Sequence, residues 1–388
     1  MIPSSNSVNL FNLDYEFKLF NSPYDGLKER NKILTISKEF EYVYFLIEKE
    51  QTTLKNLKNY SDDYLSYLKD LGFTIPQFIK KFSGNLNNWW GELKDRDAER
   101  ILNSKETSTK FALDKGFCHS GTKIIHSKKE FLEHLQNYNC GQWIARSSFS
   151  SGGNGIFKFK KDHLFNDKIS NILLKGPIIL EPNLNRILDF GVTLSLGDKS
   201  PYFFTRNFVS KMGNFKGGIV YNENKILERI FFSKQKWMDS YFIFLDEVKR
   251  YYKKIGASDA LQIDSFFYEE RNEIKCYPLV EVNYRKTMGL VLKNMQRFLP
   301  HNGIGGWYIF SKKDFLFLKS FDEQLKKIGS FIYDKKTKCG ILPTSPVNYN
   351  FPSLFISAKN ENELNKNLEF IKKTLLNKNS NLPKEFIS

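Results

Sequence analysis

Between Asp62 and Phe73 the chain reads DDYLSYLKDLGF, and Tyr64, Leu65, Leu68 and Leu71 recur at the three- and four-residue spacing of one helix face. Gly72, following Leu71, ends that helix and Pro76 starts the next element. The apolar runs KILTIS and YVYFLI precede it, and residues 1–100 read as a small α/β unit. A second helix is predicted from Ser104 to Lys115, with Ser104 as N-cap and Gly116 as its stop. A third follows in SKKEFLEHLQNY, where Ser127 and Glu130 have capping-box spacing and Phe131, Leu132 and Leu135 form the apolar face. GTKIIH, between them, is a short strand. From Gly141 the period changes to two: QWIARSS, GIFKFK, GPIILEP, FGVTLSL, YFFTRNFVS, ALQIDSFFY and IKCYPLVEVNYR read as strands, interrupted by a helix around DSYFIFLDEVKRYYKKIG. The signal weakens after residue 300, until SLFISAKNENELNKNLEFIKKTLL gives a strand and an amphipathic helix. This is a mixed α/β chain of α+β class dominated by antiparallel sheet.

Composition narrows the picture without redrawing it. The 388 residues suffice for two or three packed units, and 36 Phe with 19 Tyr supply ample core. The formal net charge of +16 would attract polyanions. Its lysines are scattered singly or in pairs rather than massed in a basic arm, so nucleic acid is only a minor option as partner. The cysteines Cys118, Cys140, Cys276 and Cys339 have no CxxC spacing, which fits a reduced cytoplasmic compartment. No signal-peptide pattern opens the chain and no apolar run reaches the roughly 18 residues of a membrane span. The five histidines lack HExxH spacing and there is no GxSxG, so metalloprotease and serine hydrolase chemistry start low.

Two stretches carry candidate chemistry. In WIARSSFSSGGNGIFKFK a strand enters, a serine and glycine loop follows, and a second strand leaves. Glycines let backbone N–H groups converge, serines add hydroxyl donors and Arg146 adds a bidentate cation, so the loop can wrap anionic oxygens. An ordinary hairpin turn explains the same letters. In PLVEVNYR the period of two sets Glu281, Asn283 and Arg285 on one face, and ALQIDSFFY does the same for Gln262 and Asp264. EERNE between them makes an antiparallel hairpin, which would converge two carboxylates and a carboxamide oxygen as hard ligands for magnesium. A solvated, salt-bridged sheet face is the alternative. Trp89 and Trp90 could stack a base, but read better as core between the first and second units.

In this order the pieces resemble the ATP-grasp superfamily over roughly residues 100–290, and the region before resembles a pre-ATP-grasp domain. The resemblance implies two α+β subdomains clasping nucleotide: residues 1–100 as the preceding domain, 101–300 as the ATP-grasp domain (small lobe about 105–185, large lobe about 186–300), and 301–388 as an extension packed on the core. Lys105 matches the family's first nucleotide-contacting lysine. Arg146 stands where the second lysine is expected, and its planar fork is not interchangeable with an ammonium. Ser147, Ser148, Ser151, Gly152, Gly153 and Gly155 fall in the phosphate-covering loop. Glu181 and the backbone around Asn183 and Leu184 fall at the adenine, and Asp189 near the ribose, one position later than the commonest spacing. Asp264, Glu281 and Asn283 fall on the Mg2+ ligands, and Arg285 on the arginine that often follows.

Such a resemblance implies an ATP-dependent carboxylate–amine ligase working through an acyl phosphate, with ATP and Mg2+ as cofactors and small-molecule or peptide carboxylates and amines as substrates. Arg285 and Arg206 are the candidates for holding the acceptor carboxylate; for Arg206 the alternative is a surface arginine on a strand, with GNFKGG as the turn after it. A small-molecule phosphotransferase and a nucleotide-binding protein without turnover are the competing outcomes. Similar enzymes are often homodimers, which leaves the oligomeric state open.

Overall fold

The structure is a computed structural model that describes residues 8–20, 27–138, 140–149, 155–160, 167–197, 202–210, 213–222 and 225–377. Its strands form three sheets. β1 (Val8–Leu10), β2 (Thr53–Lys55), β3 (Gln77–Ile79) and β4 (Leu86–Asn88) make a parallel sheet of order β3-β2-β1-β4. β5 (Lys123–Ile125), β6 (Gln142–Ser147), β7 (Ile156–Lys160) and β8 (Ile178–Pro182) make a small antiparallel sheet of order β5-β8-β6-β7. The remaining strands are β9 (Asn185–Ser195), β10 (Tyr202–Val209), β11 (Phe215–Tyr221), β12 (Ala260–Glu270), β13 (Glu273–Asn283), β14 (Ile304–Ile309), β15 (Gly340–Pro343) and β16 (Ser353–Ala358). They form one antiparallel sheet of order β13-β12-β9-β10-β11-β14-β16-β15.

Local signals explain much of this. Ser104 caps the helix Lys105–Asp114 by accepting from Glu106 N–H, and Ser127 caps Lys128–Asn137 by accepting from Glu130 N–H. Helix Asp62–Asp70 stops at Leu71, and Gly72 takes φ +80°, a value glycine reaches without strain.

The apolar run KILTIS lies within helix Leu27–Phe40 and YVYFLI supplies helix Val43–Ile47, while the first domain's strands are three-residue pieces too short to show a period. Two expectations change. Of GNFKGG, which the alternative reading makes a turn, Phe215 to Gly218 belong to strand β11. At Gly217 (φ +135°) a Cβ would stand 2.0 Å from the Trp307 carbonyl oxygen, so the glycine serves close pairing with β14. Residues 301–388, expected as an extension, contribute β14, β15 and β16 to the large sheet itself.

The large sheet is covered on both faces. Helix Gln235–Lys254 lays Tyr241, Phe244, Leu245 and Val248 into one core with Phe190, Val192, Ile263 and Phe267. On the opposite face Val291, Leu292 and Met295 of helix Met288–Met295 join Val43 to Leu46 of the first domain in a second core, which also holds Trp89 and Trp90. No helix among the described residues is long and apolar enough to cross a membrane. All four cysteines are free.

Candidate functional site

The site lies where the small sheet and the helix Lys105–Asp114 meet β13, which is paired with β12. Lys105, the first residue of its helix, is buried, and its backbone N–H donates to Ser148 O (3.1 Å). Its ammonium reaches across to Glu281 Oε2 at 2.8 Å.

Arg146 leaves β6 fully enclosed. Its Nη2 donates to Glu181 Oε2 (3.0 Å) and its Nη1 to Val280 O (2.9 Å), so the fork joins β8 of the small sheet to β13 of the large one. The Tyr277 hydroxyl adds a third contact, donating to Glu181 Oε2 at 3.1 Å. Burial alone would lower the guanidinium's pKa, but Glu181, Tyr277 and Glu281 outweigh it and raise the value above the ordinary one. Its Nε is buried without a hydrogen-bond partner.

The hairpin predicted for the metal ligands is present. Asp264 pairs opposite Glu281 and Gln262 opposite Asn283, so all four share one face. Asn283 Nδ2 donates to Asp264 Oδ2 (3.2 Å) and Gln262 Nε2 to Asp264 Oδ1 (3.4 Å). Gln262 is oriented in turn, because its Oε1 accepts from the hydroxyls of Thr193 (3.0 Å) and Thr287 (3.1 Å). Gly191 makes room for this network: a Cβ there would lie 2.3 Å from Gln262 Nε2. Burial, then the Glu281 charge, push the Asp264 carboxyl up to about 7. Burial also acts to raise Glu281, but Lys105, by charge and hydrogen bond, together with Arg146 and Arg285 holds it below the ordinary carboxylate value.

Two half-buried carboxylates facing each other with a carboxamide beside them suit a hard divalent cation, which would relieve their repulsion. Among the described residues no group of three or more His, Cys, Asp or Glu side chains gathers as a metal site, so any ion here would complete its shell with water or substrate oxygens.

The other predicted residues divide. Ser148 Oγ donates to Pro177 O (2.7 Å), just before β8, and Ser147 Oγ to Phe149 O (3.3 Å) within the loop, so both hydroxyls engage backbone carbonyls. Gly155 takes φ +79° at the foot of β7, whereas Ser151, Gly152 and Gly153 lie outside the described residues. The Asn183 N–H is spent on Gln142 O (2.8 Å), and Leu184 packs with Phe266, Tyr268, Tyr277 and Val280. Asp189 pairs with Arg186 (2.9 Å), whose guanidinium also lies 4.0 Å from the Phe266 ring centroid. Arg285 donates to Asn283 Oδ1 (3.1 Å) and forms an ion pair with Glu16 of the first domain. Arg206 does not join them. It pairs opposite Phe190 and Ile219, while Asp264 pairs opposite Gly191, so strand alternation turns Arg206 to the other face of the sheet.

Sequence reading did not single out Thr193, Thr287 or Glu16. Thr193 was reachable by continuing the period of two from Asp189 through Gly191; Glu16 gave no local signal.

No family model matches the chain, and no curated protein matches it. Solved structures do. Biotin carboxylase of Campylobacter jejuni, solved as a beta-gamma-ATP complex, is 9% identical over 95% of this chain and 91% of that chain, with TM-score 0.53. The biotin carboxylase domain of the Hydrogenobacter thermophilus 2-oxoglutarate carboxylase, solved with magnesium ADP and bicarbonate, is 9% identical over 96% of this chain and 90% of that chain, with TM-score 0.52. N5-carboxyaminoimidazole synthetase of Staphylococcus aureus is 8% identical over 95% and 97%, with TM-score 0.50. These proteins share the ATP-grasp fold, and this chain has that fold.

Proposed function

From the ATP-grasp fold as premise, we propose that the protein is an ATP-dependent ligase that joins a carboxylate to an amine through an acyl phosphate, releasing ADP and phosphate. One observation carries the reading: Lys105 meets Glu281 beside Asp264 and Asn283, so a phosphate-seeking cation and a set of hard oxygen ligands face one cleft. Transfer of a γ-phosphoryl group needs positioning and charge neutralisation more than a side-chain nucleophile. In this reading Lys105 exchanges Glu281 for phosphate oxygens, and Asp264, Glu281 and Asn283 hold magnesium. Magnesium there supplies neutralisation of developing charge on the phosphate oxygens. Leu184 and the aromatic group of Phe266, Tyr268 and Tyr277 give the base an apolar floor. Arg146 ties the two sheets together at the cleft, and Arg285 is the cation for the acceptor. Arg206, on the far face, is left out of the acceptor site.

Calorimetric titration of ATP with and without magnesium tests the site. Magnesium-dependent binding should vanish in Asp264→Asn, a cleaner variant than Glu281→Gln, which would also strip Lys105 of its partner. Binding indifferent to magnesium and to Asp264 would overturn the metal assignment. ADP release that depends on both a carboxylate and an amine identifies a ligase; a stable phosphorylated product identifies a kinase instead.

A further inference from the structure

Glu16 sits on the first domain, far from the hairpin in sequence, yet its carboxylate forms an ion pair with Arg285, and both side chains are nearly enclosed (9% and 13% exposed). The contact is anchored from several sides. Asn12 Nδ2 donates to Gly91 O, and Asn12 Oδ1 accepts from Trp90 N–H, each at 2.8 Å. The neighbouring Tyr15 hydroxyl donates to Glu99 (2.7 Å) and accepts from Asn103 Nδ2 (3.0 Å), while Asn103 Oδ1 accepts from Tyr284 N–H (2.8 Å). Asp14 is engaged by Lys18 (3.0 Å), so that lysine is matched without Glu16.

Charge makes the consequence specific. Arg285 donates to Asn283 Oδ1, and Asn283 donates to Asp264, so the guanidinium stands one residue from a half-buried carboxylate. Arg146 is matched by Glu181 and Arg186 by Asp189. With Asp264 ionised, as a bound cation requires, Asp264, Glu281 and Glu16 face Lys105 and Arg285, leaving one net negative charge for a divalent cation. Without Glu16 the same groups sum to zero, and Arg285 is free to compete for Asp264.

We infer that Glu16 is a positioning residue which, by neutralising and holding Arg285, keeps Asp264 available to a divalent metal; this rests on the nucleotide and metal site proposed above. The first domain thus sets the metal affinity of a cleft built by the other two sheets.

The test measures Mn2+ binding by electron paramagnetic resonance in the presence of ADP, with ADP affinity in the absence of metal measured alongside. E16Q should weaken Mn2+ binding about tenfold or more, since a charge this close acts through a partly buried medium, and should leave metal-free ADP binding within about twofold. E16Q/R285Q, which removes both charges, should recover Mn2+ affinity to within about threefold of wild type. Should E16Q fail to fold, the double variant still decides, because it must bind Mn2+ as wild type does. Unchanged Mn2+ affinity in E16Q, no recovery in the double variant, or a parallel loss of metal-free ADP binding would overturn the inference. Wild-type protein that binds no Mn2+ with ADP overturns the underlying site as well, so the two failures are distinguishable.

Discussion

Glu181→Gln isolates the Arg146 cluster, where two sheets meet through one guanidinium. Both partners are almost fully buried, at 3% and 5% side-chain exposure, and only 3.0 Å apart. A carboxamide can still accept from Nη2, but it no longer matches the charge, and an uncompensated buried charge costs about 3–5 kcal/mol. Glu281 also acts on Arg146, which places the expectation at the lower end, about 3 kcal/mol. For a chain of 388 residues unfolding as a unit, the unfolding entropy scales with length, and that loss lowers Tm by about 4 °C. Replacing both partners, Arg146→Met with Glu181→Leu, removes both charges and should restore most of the loss, leaving the Val280 carbonyl and the Tyr277 hydroxyl short of a partner. Thermal melts followed by tryptophan fluorescence measure all three proteins. A Glu181→Gln shift below about 1 °C, or a double variant less stable than the single one, would refute a buried ion pair as the link between the sheets.

Two further predictions concern stability. Burial pushes Glu41 up to about 7, against hydrogen bonds from Tyr60, Leu57 and Lys58 and the Lys58 charge. A folded value above the unfolded 4.5 means its contribution is complete below 4.5 and lost as pH rises through about 7. Tm of Glu41→Gln should therefore fall less than that of wild type between pH 5 and pH 8, and an identical pH slope in the two proteins would refute this. Gly217→Ala should cost at least about 4 kcal/mol and block soluble expression, because its Cβ meets the Trp307 carbonyl at positive φ. Gly197→Ala, with nothing within 4 Å, is the control and should melt as wild type does.

Sequence periodicity by itself determined the elements whose signal is local. The cap at Ser104, the stop at Gly72, the two hairpins and the separate faces of Gln262 with Asp264 and of Glu281 with Asn283 follow from spacing within a few residues, because hydrogen bonds and alternation act over that range, whereas the register that sets Asp264 opposite Glu281 is tertiary. What lay beyond it needed the tertiary structure. The first domain's strands are three residues long, too short for a period of two, so neighbouring strands rather than composition make them extended. GNFKGG reads as a turn until β14 is seen to need a glycine against its backbone. Arg206 reads as an acceptor arginine until strand pairing fixes its face, and Arg146 as a phosphate ligand until Glu181 and Val280 are found on its fork. Glu16 joins the site only because folding packs the first domain onto the end of the β12–β13 hairpin. Local order is written in neighbouring residues; which charges end up matched depends on contacts between segments that no spacing along the chain records.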